Sequence, residues 1–173
     1  MDTKAAFKKA GIKPHALQPK EGLSLINGTQ VMTAIGALVT HEALALCKIA
    51  DIAGALSLEA FRGTSVAFDP RIQAVRPHAE QASVAANLRA LLRGSKIAES
   101  HKDCGKVQDP YSFRCMPQVH GASRRIIGNC VAVLETEMNS STDNPLIFSN
   151  GKGGEILSGG NFHGEYVAMM MDT

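Results

Sequence analysis

The chain has no Trp and two Tyr among its 173 residues. Bases therefore have few aromatic faces to stack on, and the Lys and Arg residues are scattered, leaving a formal charge of only +2. A nucleic-acid-binding protein needs a concentrated basic footprint, so that class is excluded. No secretory signal is expected, because Met1-Asp2-Thr3-Lys4 leads into no apolar h-region. No membrane span is expected either: the longest run without charge, between Glu21 and Glu42, is interrupted by Asn27, Gly28, Thr29 and Gln30. Four Cys (47, 104, 115, 130) without a signal point to reduced thiols and a cytoplasmic location. Cys47 and Cys130 fall in apolar-periodic segments and are expected as small core residues. His101, Cys104, Cys115 and His120 have the right types for zinc but lack paired Cys spacing, so ordinary loop and helix positions are expected and no metal.

What is present is a globular composition. Apolar residues make up 45% and charged residues 20%, which excludes a disordered chain. A chain of this length can bury roughly 70% of its unfolded surface. Residues 1–20 are polar and basic, with Pro14 and Pro19 as helix breakers, and read as a tail or connector. Residues 21–173 form the remainder.

Apolar residues at Val31, Ala34/Ile35, Leu38, Leu44/Ala45, Ile49, Ile52/Ala53 and Leu56 predict a helix over 29–61. Thr29 or Gly28 is placed to cap its start and Gly63 to end it, while Gly36 and Gly54 mark bends or close helix contacts. That helix would be about 50 Å long, beyond the roughly 40 Å diameter of a compact globule of this size. It suits an elongated helical bundle with partners outside the chain. A second helix is expected over 70–93, with a stripe of Ile72, Val75, Ala79, Ala82, Ala85, Leu88 and Leu92. A third is expected over 117–138, with Pro117 in its first turn. Residues 139–145 form a turn cluster, 146–160 a short hairpin, and 161–172 the beginning of another helix. The fold class is mainly α.

One strip carries chemistry: Gln108-Asp109-Pro110-Tyr111-Ser112-Phe113-Arg114-Cys115-Met116-Pro117-Gln118-Val119-His120-Gly121. Gln108, Tyr111 and Arg114 are three apart, so on one turn of helix they would project from one side. A guanidinium among neutral hydrogen-bonding groups suits a carboxylate, whose two oxygens it can grip in parallel. The plain structural alternative is that Arg114 caps a helix end or pairs with an acidic neighbour.

This strip resembles the aromatic amino acid lyase family. Three further segments agree in order: Glu21 to Gln30 (EGLSLINGTQ), Ser141-Thr142-Asp143-Asn144-Pro145, and Ser158 to Glu165 (SGGNFHGE). The resemblance runs from about residue 17 to the end, and makes 21–173 part of the family's central helical domain. It implies an ammonia-lyase, and the wording of the strip favours the histidine branch: ammonia leaves L-histidine to give urocanate. Asn27 then matches a catalytic-loop asparagine and Tyr111 a phenol at the reacting centre; Arg114 matches the residue gripping the substrate carboxylate, with Gln108 and Phe162 beside it and Asn161 a weaker match. For Asn27 the structural alternative is an ordinary Asn-Gly turn, and for Tyr111 and Phe162 plain packing. The family's electrophile is a methylidene-imidazolone cyclised from an internal Ala-Ser-Gly, with no separately bound cofactor. No Ala-Ser-Gly occurs in these residues. The resemblance places that triad upstream of Met1, so the chain is expected to be the inactive middle of a longer enzyme. It also implies a homotetramer whose sites mix residues of three subunits. A phenylalanine- or tyrosine-type lyase or aminomutase, and a silent helical assembly module, remain as alternatives.

Overall fold

In the computed structural model, residues 2–151 and 153–173 are described. Met1, in the expected connector, and Lys152, in the expected hairpin segment, lie outside the described residues. The chain is mainly helical with a single two-stranded sheet among the described residues, in line with the expected fold class. It divides into two compact units, one of residues 1–30 and 140–164, the other of 31–139 and 165–173.

The first unit begins with helix α1 (Thr3–Ala10), so the expected connector contains a helix. Gly11 closes it in the left-handed region at φ 67°, before Pro14 can interfere. A single turn, α2 (Glu21–Ser24), follows. The hairpin is β1 (Leu146–Ser149) paired antiparallel with β2 (Gly154–Leu157), in the register Leu146 opposite Leu157 and Ser149 opposite Gly154. Asn144–Pro145 is a cis peptide leading into β1.

The second unit is built around α3 (Gln30–Ala60), close to the predicted range. The exit differs: Arg62 takes the left-handed conformation at φ 57°. Gly63 is needed for space, since a Cβ there would run into Leu58 and come within 3.2 Å of Asp109 Oδ2. The larger difference is which face packs. The predicted stripe is exposed at Val31, Ile35, Leu38, Ile49, Ile52 and Leu56. The buried positions are Thr33, Gly36, Thr40, Asp51, Ala55 and Leu58. Small residues let neighbouring helices approach closely: a Cβ at Gly36 would sit 3.1 Å from Leu134 and one at Gly54 2.5 Å from Met116 Sδ. Helical period identifies an apolar face but not what covers it.

The helix expected over 70–93 is two: α4 (Pro70–Ala74) and α5 (Ala79–Leu91). Pro77 is the cause, because it disfavours helical geometry at Arg76 and has no amide hydrogen to donate. The break shifts the phase, so Val75 is 85% exposed while Val84, Ala85 and Leu88 are wholly buried. Asp69 caps α4, accepting from Arg71 N at 2.8 Å. After α6 (Lys96–Ser100) and α7 (Tyr111–Arg114) comes α8 (Met116–Met138), with Pro117 in its first turn as expected. α9 (Glu165–Met171) lies against α8, where Cys130 Sγ meets the Met170 carbonyl at 3.2 Å.

The core of this unit is Ala55 and Leu58 of α3, Phe68 of a 3-10 turn, Val84, Ala85 and Leu88 of α5, and Met116 of α8. Below it lies a polar clamp. Asp51 is fully buried on α3. One oxygen accepts from the His120 imidazole at 2.8 Å, the other from Arg124 Nη2 at 2.5 Å and Asn87 Nδ2 at 2.7 Å. One carboxylate thus ties α3, α5 and α8 together. No helix among the described residues is long and apolar enough to cross a membrane.

Candidate active site

The strip from Gln108 to Gly121 bends where α7 meets α8. Gln108 precedes α7, so Gln108, Tyr111 and Arg114 do not share one helical turn. They nevertheless line one cavity of about 610 Å³, together with Thr64, Arg76 and Gln118. Tyr111 is 73% exposed into solvent and cavity, leaving its phenol open to a ligand.

Arg114 is held by its neighbours without being neutralised. Its Nε donates to the main-chain oxygen of Asp109 at 2.9 Å, and its guanidinium carbon lies 5.7 Å from the centre of the Tyr111 ring. The acidic neighbour has another partner: the buried Asp109 carboxylate accepts from Thr64 N at 2.7 Å. Nη1 and Nη2 of Arg114 therefore keep their donors for a planar anion. Gln118 was missed in the sequence, although it lies inside the strip. Its Oε1 is buried without a hydrogen-bond partner, at the wall of this cavity. An orphaned buried amide is a polar contact in waiting for a bound molecule.

Asn27 and Phe162 belong to the other unit. Both are attached to the 141–145 turn, from opposite directions along the chain. Asn27 Nδ2 donates to Asp143 Oδ1 at 3.4 Å. The segment preceding Phe162 is tied by Gly159 N and Ser158 Oγ, which donate to Asn144 Oδ1 at 2.7 and 3.1 Å, and by Asn161 Nδ2, which donates to the Ser141 carbonyl at 3.3 Å. Phe162 precedes α9 rather than starting it and is 43% exposed. Gly28 adopts φ 120° with its Cα so close to the Thr142 carbonyl that any Cβ would clash. Glycine at this position is thus required by both conformation and space.

Three of the four residues weighed as zinc ligands have separate partners. His120 serves Asp51, His101 meets Ser100 and Arg62, Cys115 lies on the Ser112 carbonyl, and Cys104 is exposed. Among the described residues no group of three His, Cys, Asp or Glu is placed to hold a metal ion.

On this helical scaffold one cavity is lined by amides, a phenol, Asp109 and the guanidinium-bearing Arg76 and Arg114, a donor set that can hold a small anionic molecule. Comparison with known proteins makes this specific. Aligned over 99% of the chain and 31% of its own length, the crystal structure of histidine ammonia-lyase from Trypanosoma cruzi superposes with a TM-score of 0.85 at 45% identity. The Pantoea agglomerans phenylalanine aminomutase gives 0.87 at 35% identity, over 99% of this chain and 36% of that one. In sequence, histidine ammonia-lyase of Sorangium cellulosum is 57% identical over 171 residues, 96% of this chain and 33% of the relative. The aromatic amino acid lyase family matches residues 1–173 throughout, and the chain belongs to that family. It spans about a third of the length of the curated relatives it matches.

Proposed function

We propose that this chain forms part of the central helical domain of a cytoplasmic, homotetrameric histidine ammonia-lyase that converts L-histidine to urocanate and ammonia. The observation that carries the reading is the Arg114 environment. Its Nε is occupied by a backbone carbonyl, and Arg114 borders a cavity that Gln108 and Tyr111 border too. Arg114 binds the substrate carboxylate through two charge-assisted bonds. Tyr111 positions the substrate and passes a proton at its hydroxyl, and Gln108 supplies a neutral donor and acceptor. Asn27 donates from its amide to negative charge developing in the reaction, without titrating itself. Phe162 packs on the substrate side chain.

The family's methylidene-imidazolone, when present, supplies the electrophile for the substrate amine. The unused hydrogen-bonding groups of Gln108, Tyr111 and Gln118 suit a neutral polar ring of that kind. None of the residues in this chain forms it, because no Ala-Ser-Gly occurs.

The second reading is a lyase or aminomutase acting on phenylalanine or tyrosine, favoured by the similarity to a phenylalanine aminomutase. One experiment separates them. The reading frame is followed on both sides of this chain for an Ala-Ser-Gly, and the longest product is expressed and given L-histidine, L-phenylalanine or L-tyrosine. Urocanate absorbance growing only with histidine is the expected result. Product from phenylalanine or tyrosine alone selects the second reading. An intact protein that transforms none of them is a silent assembly module.

A further inference from the structure

Asp143 has no role in the reading above, yet it sits at the centre of the unit that carries Asn27. Its Oδ2 accepts from Ser24 Oγ at 2.8 Å and forms an ion pair with Lys20 Nζ. Its Oδ1 accepts from Asn144 N at 2.7 Å and from Asn27 Nδ2 at 3.4 Å. The last is the longest of these contacts and the weakest of them. Lys20 reaches both Asp143 and Ser24 Oγ from a backbone in the left-handed region at φ 72°, unusual for a residue with a side chain. Lys20 and Asp143 are 24% and 14% exposed, so solvent only partly screens the pair.

The chemistry of the contact is directional. An asparagine amide has a donor edge and an acceptor edge that are nearly equal in shape. A carboxylate only accepts. Asp143 therefore selects the NH2 edge of Asn27 and turns the amide oxygen and the second N–H the other way. A neutral partner in its place could accept either edge. Gly28 approaches the Thr142 carbonyl closely, so the loop lies against the same turn.

We infer that Asp143, held by Lys20 and Ser24, is a positioning residue that sets which edge of the Asn27 amide faces the reacting molecule. Lys20 first, then Ser24 and the Asn144 amide, hold the Asp143 carboxyl well below the usual carboxylate range. It thus stays an acceptor through neutral and mildly acidic pH. This inference rests on the role given to Asn27 above, so its test has one arm that needs turnover and one that does not.

The first arm is a double-mutant cycle in the full-length protein. Asp143→Ala is expected to lower kcat about ten- to a hundredfold, the scale of a misplaced group, with KM within about twofold. In an Asn27→Ala background the same change is expected to alter kcat by less than about twofold, because the residue it acts through is gone. Equal losses in both backgrounds overturn the inference, since a merely structural Asp143 would act on either. Asp143→Asn, of the same size, takes the place of the alanine variant if that fails to fold. The second arm compares neutron crystal structures of the wild type and the folded variant, in which deuterium marks the nitrogen edge of the Asn27 amide. The Asn27 amide is expected to rotate or to occupy two orientations; an Asn27 side chain unmoved in the variant overturns the inference. Absence of turnover on every amino acid tested would remove the functional reading, and the crystallographic arm would then decide alone.

Discussion

At the scale of single residues, three side chains give sharp expectations. Arg114 contributes about 1.5–3 kcal/mol if it binds a carboxylate through charged hydrogen bonds. Arg114→Ala in the full-length protein should then lower kcat/KM for histidine roughly 10- to 150-fold. Arg114→Lys should rescue only in part, because an ammonium lacks the planar fork. Histidinamide, which has no carboxylate, should be affected far less; equal losses on both would make Arg114 structural. Asp51 is a different case. Asp51→Ala leaves Arg124 and Asn87 in a half-buried site without their acceptor, and breaking such a buried pair costs about 3–5 kcal/mol. Urea unfolding of the full-length variant measures it, and a loss within error of zero would show that water replaces the carboxylate. Asp69 supplies a pH dependence. Arg71, through its side chain and then its amide, holds the Asp69 carboxyl down at about 2. A depressed carboxyl stabilises the fold above its unfolded value, near 3.9, and loses that contribution as pH falls through its folded value. The stability gap between wild type and Asp69→Asn should therefore be full at pH 6 and shrink between about pH 4 and pH 2. A gap constant over that range would mean that the bond to Arg71 is not made in solution.

At the scale of elements, two glycines on α8 make opposite predictions. A Cβ at Gly121 would lie 2.7 Å from both Cα and N of Gln81, which are backbone atoms of α5 that cannot swing aside. Gly128 on the same helix has nothing within 4 Å. Gly121→Val should destabilise by about 1–3 kcal/mol through overpacking. Gly128→Ala should stabilise by up to about 1 kcal/mol through helix propensity alone. Thermal unfolding of both variants reads the contrast, and a neutral Gly121→Val would mean that α5 and α8 are less closely packed. Gly36 and Gly54, inside the predicted helix, were expected to mark bends or close helix contacts, and close contacts are found at both. Gly121 was not singled out in the sequence, although its neighbour, Gln81, is nearer in sequence than Leu134 is to Gly36 or Met116 to Gly54.

At the scale of the whole molecule, the exposed stripe of α3 is the feature with a consequence. Val31 is 72% exposed, Leu38 69% and Leu56 66%, on a helix that presents apolar residues over much of its length. Monomers rarely leave contiguous apolar surface of that kind in water. The 173-residue chain is expected to self-associate, and Leu38→Glu with Leu56→Glu is expected to reduce the association. Light scattering that shows a monodisperse monomer of the unaltered chain would contradict this. The same stripe supports the proposed tetramer, in which equivalent helices would cover one another.

The two long helices α3 and α8, the hairpin and the family were legible because they depend on local information: period, breakers, turn residues and four ordered motifs; α1, inside the expected connector, and α6 were not. Strips as specific as Gln108–Gly121 identify a family without any coordinates. The cluster of Gln108, Tyr111 and Arg114 was legible as a group, though not its geometry, since Gln108 lies in the irregular segment before α7 and outside the expected single turn. Pro77 was visible yet outweighed by an apolar stripe running through it, which made two helices look like one. Long-range pairing was not legible at all. Asp51 with His120 and Arg124, and Asp143 with Lys20 and Asn27, join residues 69 to 123 positions apart. Polar partners leave no periodic trace in sequence, and only the tertiary fold brings a buried carboxylate to the donors that satisfy it. The covered face of α3 was decided in the same way, because a sequence states where apolar groups lie on a helix and only packing decides which of them meet a neighbour.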